Sequence, residues 1–432
     1  MASGTTRTEF WCLGMLKREL TLKDGIALSI GSIMGSGILF LPSLTSKIAG
    51  ADALISWIVS IVLCLPLLFL FSDMLKAVPN ESGLKGFISL GLGQRIAGSV
   101  PILVIGTVVL GMPAAAIIAC DYFGEYLNLT HGETILSAVG FVTIAFIPAI
   151  LGARIGGKIQ QVVAVLLAVT AIALFVITVP YASPNYESIS ISFDLNLILQ
   201  AGVVCFWAFA GFENMTFLAG EFKNPRKDII TSISIALISC GAIYLMVSLN
   251  YIAAVPQSQI DSSVGLYQLA SIAGDSLPVV ITVFAMCCVF INFVSWTWGI
   301  SRMLYSSSKD KPGFEFLSAL DKKSIPRNAL FFLWGLFVIS IGVNYLYPGG
   351  FERMLQIVSA NFVVLYILAA ISYAKYSRTR PKQIVGISIA GMLAFALVSN
   401  PYLLVYPLIL VSIGVPYSFI SSRRGALRGR AC

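Results

Sequence analysis

Twelve apolar runs, each near the length that carries a helix across a bilayer, follow one another from end to end of the sequence. They cover residues 26–46, 53–75, 98–122, 135–151, 160–180, 197–219, 230–255, 278–304, 329–347, 353–373, 384–399 and 402–420. A crossing needs about 20 such residues, so crossings and short connections account for nearly all of the 432 positions. Only 11% of the residues are charged, against about a quarter in a soluble domain. That excludes a soluble enzyme, a nucleic-acid-binding domain and a disordered chain. The expected fold class is an all-α membrane protein with 12 transmembrane helices and the lipid bilayer as its solvent. A short helix is expected near Leu266–Ala273, just ahead of the eighth run.

The placement of charge supports this count. With the N-terminus inside and twelve crossings, 26 of the 28 Lys and Arg residues fall in cytoplasmic segments, and only Lys47 and Arg353 do not. One crossing more or fewer would scramble that alternation, because the positive-inside bias depends on the parity of the spans. Both termini are therefore expected in the cytoplasm, and the setting is an inner cell membrane. The first 24 residues are charged and the first run continues past position 40, unlike a cleaved signal peptide. Eight cysteines show no CxxC spacing and the single histidine is His131, so neither a structural disulfide nor a metal site is expected. No cofactor is expected either. Gly152–Lys158 matches part of a phosphate-binding loop, but Ile159 stands where Ser or Thr would meet magnesium.

Two runs do not read as plain helices. The first contains Gly31-Ser-Ile-Met-Gly35-Ser36-Gly37 and ends in Pro42. Three glycines and two serines in seven residues make a poor continuous helix. An unwound backbone at membrane depth is tolerated only where it lines a protein cavity. A helix restarting there presents free N–H groups and a positive dipole end, which suit a carboxylate. Packing of the small residues against another helix explains the same glycines. The sixth run contains Phe206-Trp-Ala-Phe-Ala-Gly211-Phe-Glu213, and Glu213 is the only acidic residue placed deep within a run. An ionisable residue at that depth is costly and points to function; a purely structural tie between helices is the alternative. Gly211 suggests a second break, whose free carbonyls suit an ammonium group.

The two interrupted runs lie five apart and cross in opposite senses, the pattern of a five-plus-five inverted repeat. The chain then divides into an N-terminal segment (1–24), a first repeat (25–182), a second (183–376), a final pair of helices (377–421) and a basic tail (422–432). Donors for a carboxylate beside acceptors for an amine suggest an α-amino acid as ligand.

The run Gly31 to Pro42 resembles the first-helix signature of the amino acid–polyamine–organocation (APC) superfamily of transporters. The run Phe206 to Glu213, with Glu221-Phe-Lys-Asn-Pro-Arg226, resembles its sixth-helix signature. Gly111–Ala115, Ser324–Ala329 and Ser359–Phe362 are further similar to the bacterial branch that exports methionine and branched-chain amino acids. The resemblance implies a LeuT-like fold with broken helices 1 and 6. It implies that Ile33, Ser36 and Gly37 hold the substrate carboxylate, and that carbonyls of Trp207, Ala208 and Ala210 receive the amino group, with Trp207 as a lid. Trp296 would pack on the substrate side chain, Met112, Ala115, Ala360 and Asn361 would line the pocket, and Glu213 would serve proton-dependent gating. The lysine that some relatives carry inside helix five is missing here, with Leu166 near that depth. The coupled ion, a proton or another, therefore stays open, as does the choice between monomer and homodimer. Export of methionine, leucine, isoleucine and valine by alternating access is the leading expectation. A cationic antiporter of the arginine/agmatine type and an amino acid sensor without transport are the alternatives.

Overall fold

Thr21 and Asp24 start the first helix. The Asp24 carboxylate accepts from the Thr21 backbone N–H (2.8 Å) and hydroxyl (2.6 Å), a capping box at the mouth of α1 (Leu22–Met34). Gly35, at φ +34°, stops α1, and α2 (Gly37–Ala49) resumes in the same apolar run. The computed structural model describes residues 16–428, apart from 36, 128, 262–264, 275–276, 310–313, 347–350 and 399–400. Ser36 and the parts of both terminal segments beyond these limits lie outside the described residues.

Long helices follow: α3 (Ala53–Ala77), α5 (Val100–Leu127), α6 (His131–Leu151) and α7 (Ala153–Ala182), with α4 (Gly83–Ala97) between the first two. The sixth run is broken as the first is, into α8 (Leu195–Phe209) and the single turn α9 (Asn214–Phe217). Then come α10 (Pro225–Ala254), α11 (Gly265–Ala273), α12 (Leu277–Ser308), α13 (Arg327–Leu346), α14 (Phe351–Tyr376), α15 (Arg380–Val398) and α16 (Val405–Arg428). The short helix expected before the eighth run is α11. Among the described residues, nine helical stretches are long and apolar enough to cross a membrane, with Gly37–Ala77 taken as one and Pro401–Pro416 falling short. No strand occurs among the described residues beyond an isolated parallel bridge between Leu20 and Phe222.

Two sequence assignments change. Lys85 and Arg95, two of the 26 charges in cytoplasmic segments, stand between the second and third runs and belong to α4, which lies against α14. Gly91 permits that approach: a Cβ there would stand 2.1 Å from the Ser372 carbonyl, and the Gly91 N–H donates to the Ser372 hydroxyl (2.9 Å). Arg302, another of the 26 charges given to cytoplasmic segments, is buried in α12 and paired with Glu221.

The broken helices sit inside a ring of others. α1 packs on α7, α10 and α12; α2 and α3 pack on α8; α4 and α5 pack on α14. On α7, Val162, Val165, Leu166, Val169, Ile172 and Val176 are exposed at helical spacing. An outward stripe this apolar is a lipid-facing surface. Between α3 and α8 the hydroxyls of Ser56 and Ser60 donate to the carbonyls of Ile198 (2.9 Å) and Gly202 (3.2 Å), the small polar contacts that hold membrane helices together. The described cysteines are free, and Cys287 is the only one among them not buried.

The turn before α13 is held by Asp321. Burial by itself would raise this carboxyl. The N–H groups of Ile325 (2.9 Å) and Lys323 (2.8 Å) and the Arg327 guanidinium (2.7 Å) outweigh it and hold the carboxyl below the usual range. A depressed carboxylate stabilises above its unfolded pKa and loses that stabilisation as pH falls through its folded pKa. Asp321→Asn is therefore expected to speed amide exchange at Lys323 and Ile325 at neutral pH, and to match the parent protein once acid has protonated Asp321. Equal exchange at neutral pH would show that the turn holds without the carboxylate.

Candidate functional site

Breaking a helix in apolar surroundings frees carbonyls and N–H groups that must find partners. At the end of α1, side chains from two neighbours supply them. The Ser295 hydroxyl of α12 donates to the Leu28 carbonyl (2.9 Å), and Asn292 donates to those of Gly31 (3.0 Å) and Ser32 (3.2 Å). Tyr244 of α10 donates to the Met34 carbonyl (2.9 Å). Gly31 is small enough to admit Gln160 of α7, whose amide donates to Ser295 Oγ (2.7 Å) and the Ile291 carbonyl (2.9 Å). Gly35 admits Asn292: a Cβ there would lie 2.7 Å from Nδ2.

The second break touches the first. Ala210 is extended (ψ 138°) and Gly211 has φ +123°, a conformation that favours glycine. A side chain at Gly211 would also press to 2.7 Å from the Ser32 carbonyl. The Gly211 N–H donates to Glu213 Oε2 (3.0 Å), which also accepts from the Tyr366 hydroxyl of α14. Glu213 is 1% exposed, and its Oε1 has no partner among the described residues. Phe212 stacks on Tyr366 with ring centroids 5.7 Å apart.

Where the breaks meet, a cavity opens. Ile33 and Gly37 line it from the first break, Trp207, Ala208 and Ala210 from the second, Met112 and Ala115 from α5, and Trp296 from α12. Of the other residues singled out in the sequence, Ser36 lies outside the described residues. Ala360 and Asn361 are buried off the wall; Val358 and Phe362 of the same helix line it instead. Asn361 points to α5, donating to the Leu103 carbonyl (2.9 Å) and Thr107 Oγ1 (2.8 Å). Glu213 is set behind the Gly211 turn, next to the cavity but not on its wall. The Trp207 carbonyl accepts from the Ala210 N–H (3.0 Å). Trp207 lies 5.8 Å from Phe40 and Trp296 lies 5.6 Å from Phe362, ring centre to ring centre. Leu166 is on the exposed stripe of α7, far from this junction in facing.

Chemically, the wall joins two opposite helix ends. The first turn of α2 offers N–H groups and a positive end; the last turn of α8 offers carbonyls and a negative end. The described side chains between them are apolar or neutral, and none of these on the wall carries a charge. Sequence reasoning missed Asn292, Tyr244, Thr107 and Tyr366, which nothing along the chain sets apart from the other polar residues of their runs. Their roles appear only when α5, α10, α12 and α14 meet the breaks.

A multi-pass, all-helical membrane protein with a neutral cavity between two interrupted helices belongs among the solute permeases. The profile of the amino acid permease family matches residues 20–422, and the chain belongs to that family, within the APC superfamily that the two signatures resemble. The L-methionine/branched-chain amino acid exporter of Escherichia coli (strain K12) is 25% identical over 375 residues, 84% of this chain and 88% of its own. An uncharacterized amino acid permease of Bacillus subtilis is 23% identical over 95% of this chain and 97% of its own. A branched-chain amino acid permease of Lactococcus lactis is 22% identical over 84% and 83%.

Proposed function

We propose that the chain is a secondary transporter that moves neutral amino acids across a bacterial inner membrane by alternating access, with methionine, leucine, isoleucine and valine as its substrates and export as its direction. The observation that carries this reading is the uncharged, largely apolar wall set between two oppositely directed helix ends. Helix ends meet the charges common to every amino acid, and Val108, Met112, Val358 and Phe362 favour an aliphatic or thioether side chain. The frame is the LeuT-like one: twelve crossings, a five-plus-five inverted repeat over 25–182 and 183–376, and both termini in the cytoplasm. Glu213, buried beside the cavity, is the group that links transport to protons.

Counterflow in proteoliposomes tests it. Vesicles loaded with unlabelled methionine or leucine are expected to accumulate labelled leucine saturably, with arginine inert as a competitor. Stimulation by arginine or agmatine alone would replace this with the cationic reading, in which Trp207 and Trp296 hold a guanidinium by cation–π contact. Binding of leucine without any counterflow would favour a sensor.

A further inference from the structure

Among the described residues, three polar side chains other than tryptophan reach the cavity wall: Ser32, Thr107 and Asn292. Two are engaged by neighbours. Thr107 donates to the Leu103 carbonyl (2.8 Å) and accepts from Asn361 (2.8 Å), and Ser32 Oγ accepts from Asn214 (3.2 Å). Asn292 differs. It is 7% exposed, and Nδ2 gives its hydrogens to two carbonyls of α1. That settles which way the amide faces, because turning it over would set its oxygen against both carbonyl oxygens. Oδ1 is therefore directed away from the α1 backbone, and it accepts from no donor among the described residues.

The amide also lies against Gly35, just before α2 begins. In an α-amino acid only Cα separates the ammonium nitrogen from the carboxyl carbon, so the ammonium stays within about 3 Å of the carboxylate. A carboxylate on the first N–H groups of α2 brings the ammonium to the neighbourhood of Asn292. Oδ1 thus has no protein donor among the described residues, and an ammonium at the cavity wall would answer it with a charge-assisted hydrogen bond. We propose that Asn292 Oδ1 accepts a hydrogen bond from the α-ammonium group of the substrate and so favours ligands that carry a free amine. This rests on the amino acid reading above, and it adds a side-chain contact from α12 to the main-chain contacts of the two breaks.

The test pairs a change in the protein with a change in the ligand. Binding of leucine and of 4-methylpentanoate, which lacks the amine, is measured on the parent protein and on Asn292→Ala. Leucine is expected to lose about 10- to 100-fold in affinity, the worth of a hydrogen bond to a charged group, while 4-methylpentanoate changes little. Equal losses for the two ligands would overturn the proposal and leave Asn292 as a brace for α1. Unchanged leucine affinity would overturn it as well. If Asn292→Ala does not fold, the carboxamide ¹³C signal of Asn292 in the parent protein serves instead. It should move with leucine and not with 4-methylpentanoate; movement with both, or with neither, overturns the proposal. Should the parent protein bind no amino acid at all, the transport reading falls and this contact with it.

Discussion

Glu213→Gln is expected to abolish the dependence of transport on a pH gradient while leaving leucine counterflow in place. Gln keeps the shape of the protonated carboxyl and removes only its ability to lose a proton. Because Glu213 sits behind the Gly211 turn and off the cavity wall, substrate binding should change by less than about fivefold, the worth of one ordinary hydrogen bond. Its partners make the expectation specific. Oε2 holds both the Gly211 N–H and the Tyr366 hydroxyl, and so ties the second break to α14. Loss of a proton would strengthen both contacts, since a carboxylate is the better acceptor. The protonation state would thereby bias whether the break and α14 stay together. Uptake by the Gln variant is to be followed with and without an imposed gradient. An intact response to pH would remove Glu213 from the proton path and leave it as a structural tie.

The largest loss of stability is expected from Arg302→Met. The guanidinium and the Glu221 carboxylate are paired at about full burial, with Glu221 also accepting from Trp298 Nε1 (3.1 Å) and Arg302 donating to Ser301 Oγ (2.9 Å). Its guanidinium carbon lies 5.5 Å from the centre of the Trp298 ring. Removing one partner of such a pair leaves an uncompensated buried charge, at a cost of about 3–5 kcal/mol. The double change Arg302→Met with Glu221→Gln removes both charges and should recover most of that loss, as exchange of buried pairs for neutral groups commonly does. Thermal unfolding in detergent reads both. A single variant as stable as the parent would show that water reaches Glu221 once the arginine is gone.

Much of the architecture could be read directly, because membrane helices must satisfy their backbone internally and so leave long apolar runs in the sequence. The two breaks were legible for the same reason: Gly35 and Gly211, both at positive φ, stand in runs where glycine has no helical use. What was not legible depended on tertiary meetings. α4 was missed since its glycines at 83, 86, 91 and 93 look like loop chemistry; the close approach to Ser372 that Gly91 allows cannot be seen along the chain. The pocket face of α14 was placed on Ala360 and Asn361, whereas the wall is formed by Val358 and Phe362, one turn apart on a different face. A resemblance gives residues, but the rotation of a helix is set by what packs behind it. Here Asn361 is drawn to α5 by Leu103 and Thr107. Arg302 falls among the cytoplasmic charges on the sequence alone because nothing in its own neighbourhood announces Glu221, 81 positions earlier.

Leu20 joins the two breaks in a further way. Its N–H donates to the Glu221 carbonyl (2.9 Å), and its own carbonyl accepts from the Lys223 N–H (3.0 Å). The chain entering the first broken helix is thus stitched to the chain leaving the second. Moving either segment away from the other would cost this pair of main-chain hydrogen bonds. Like two door leaves fastened together, the two segments would open and close as one, and a motion of either without the other would have to break both hydrogen bonds.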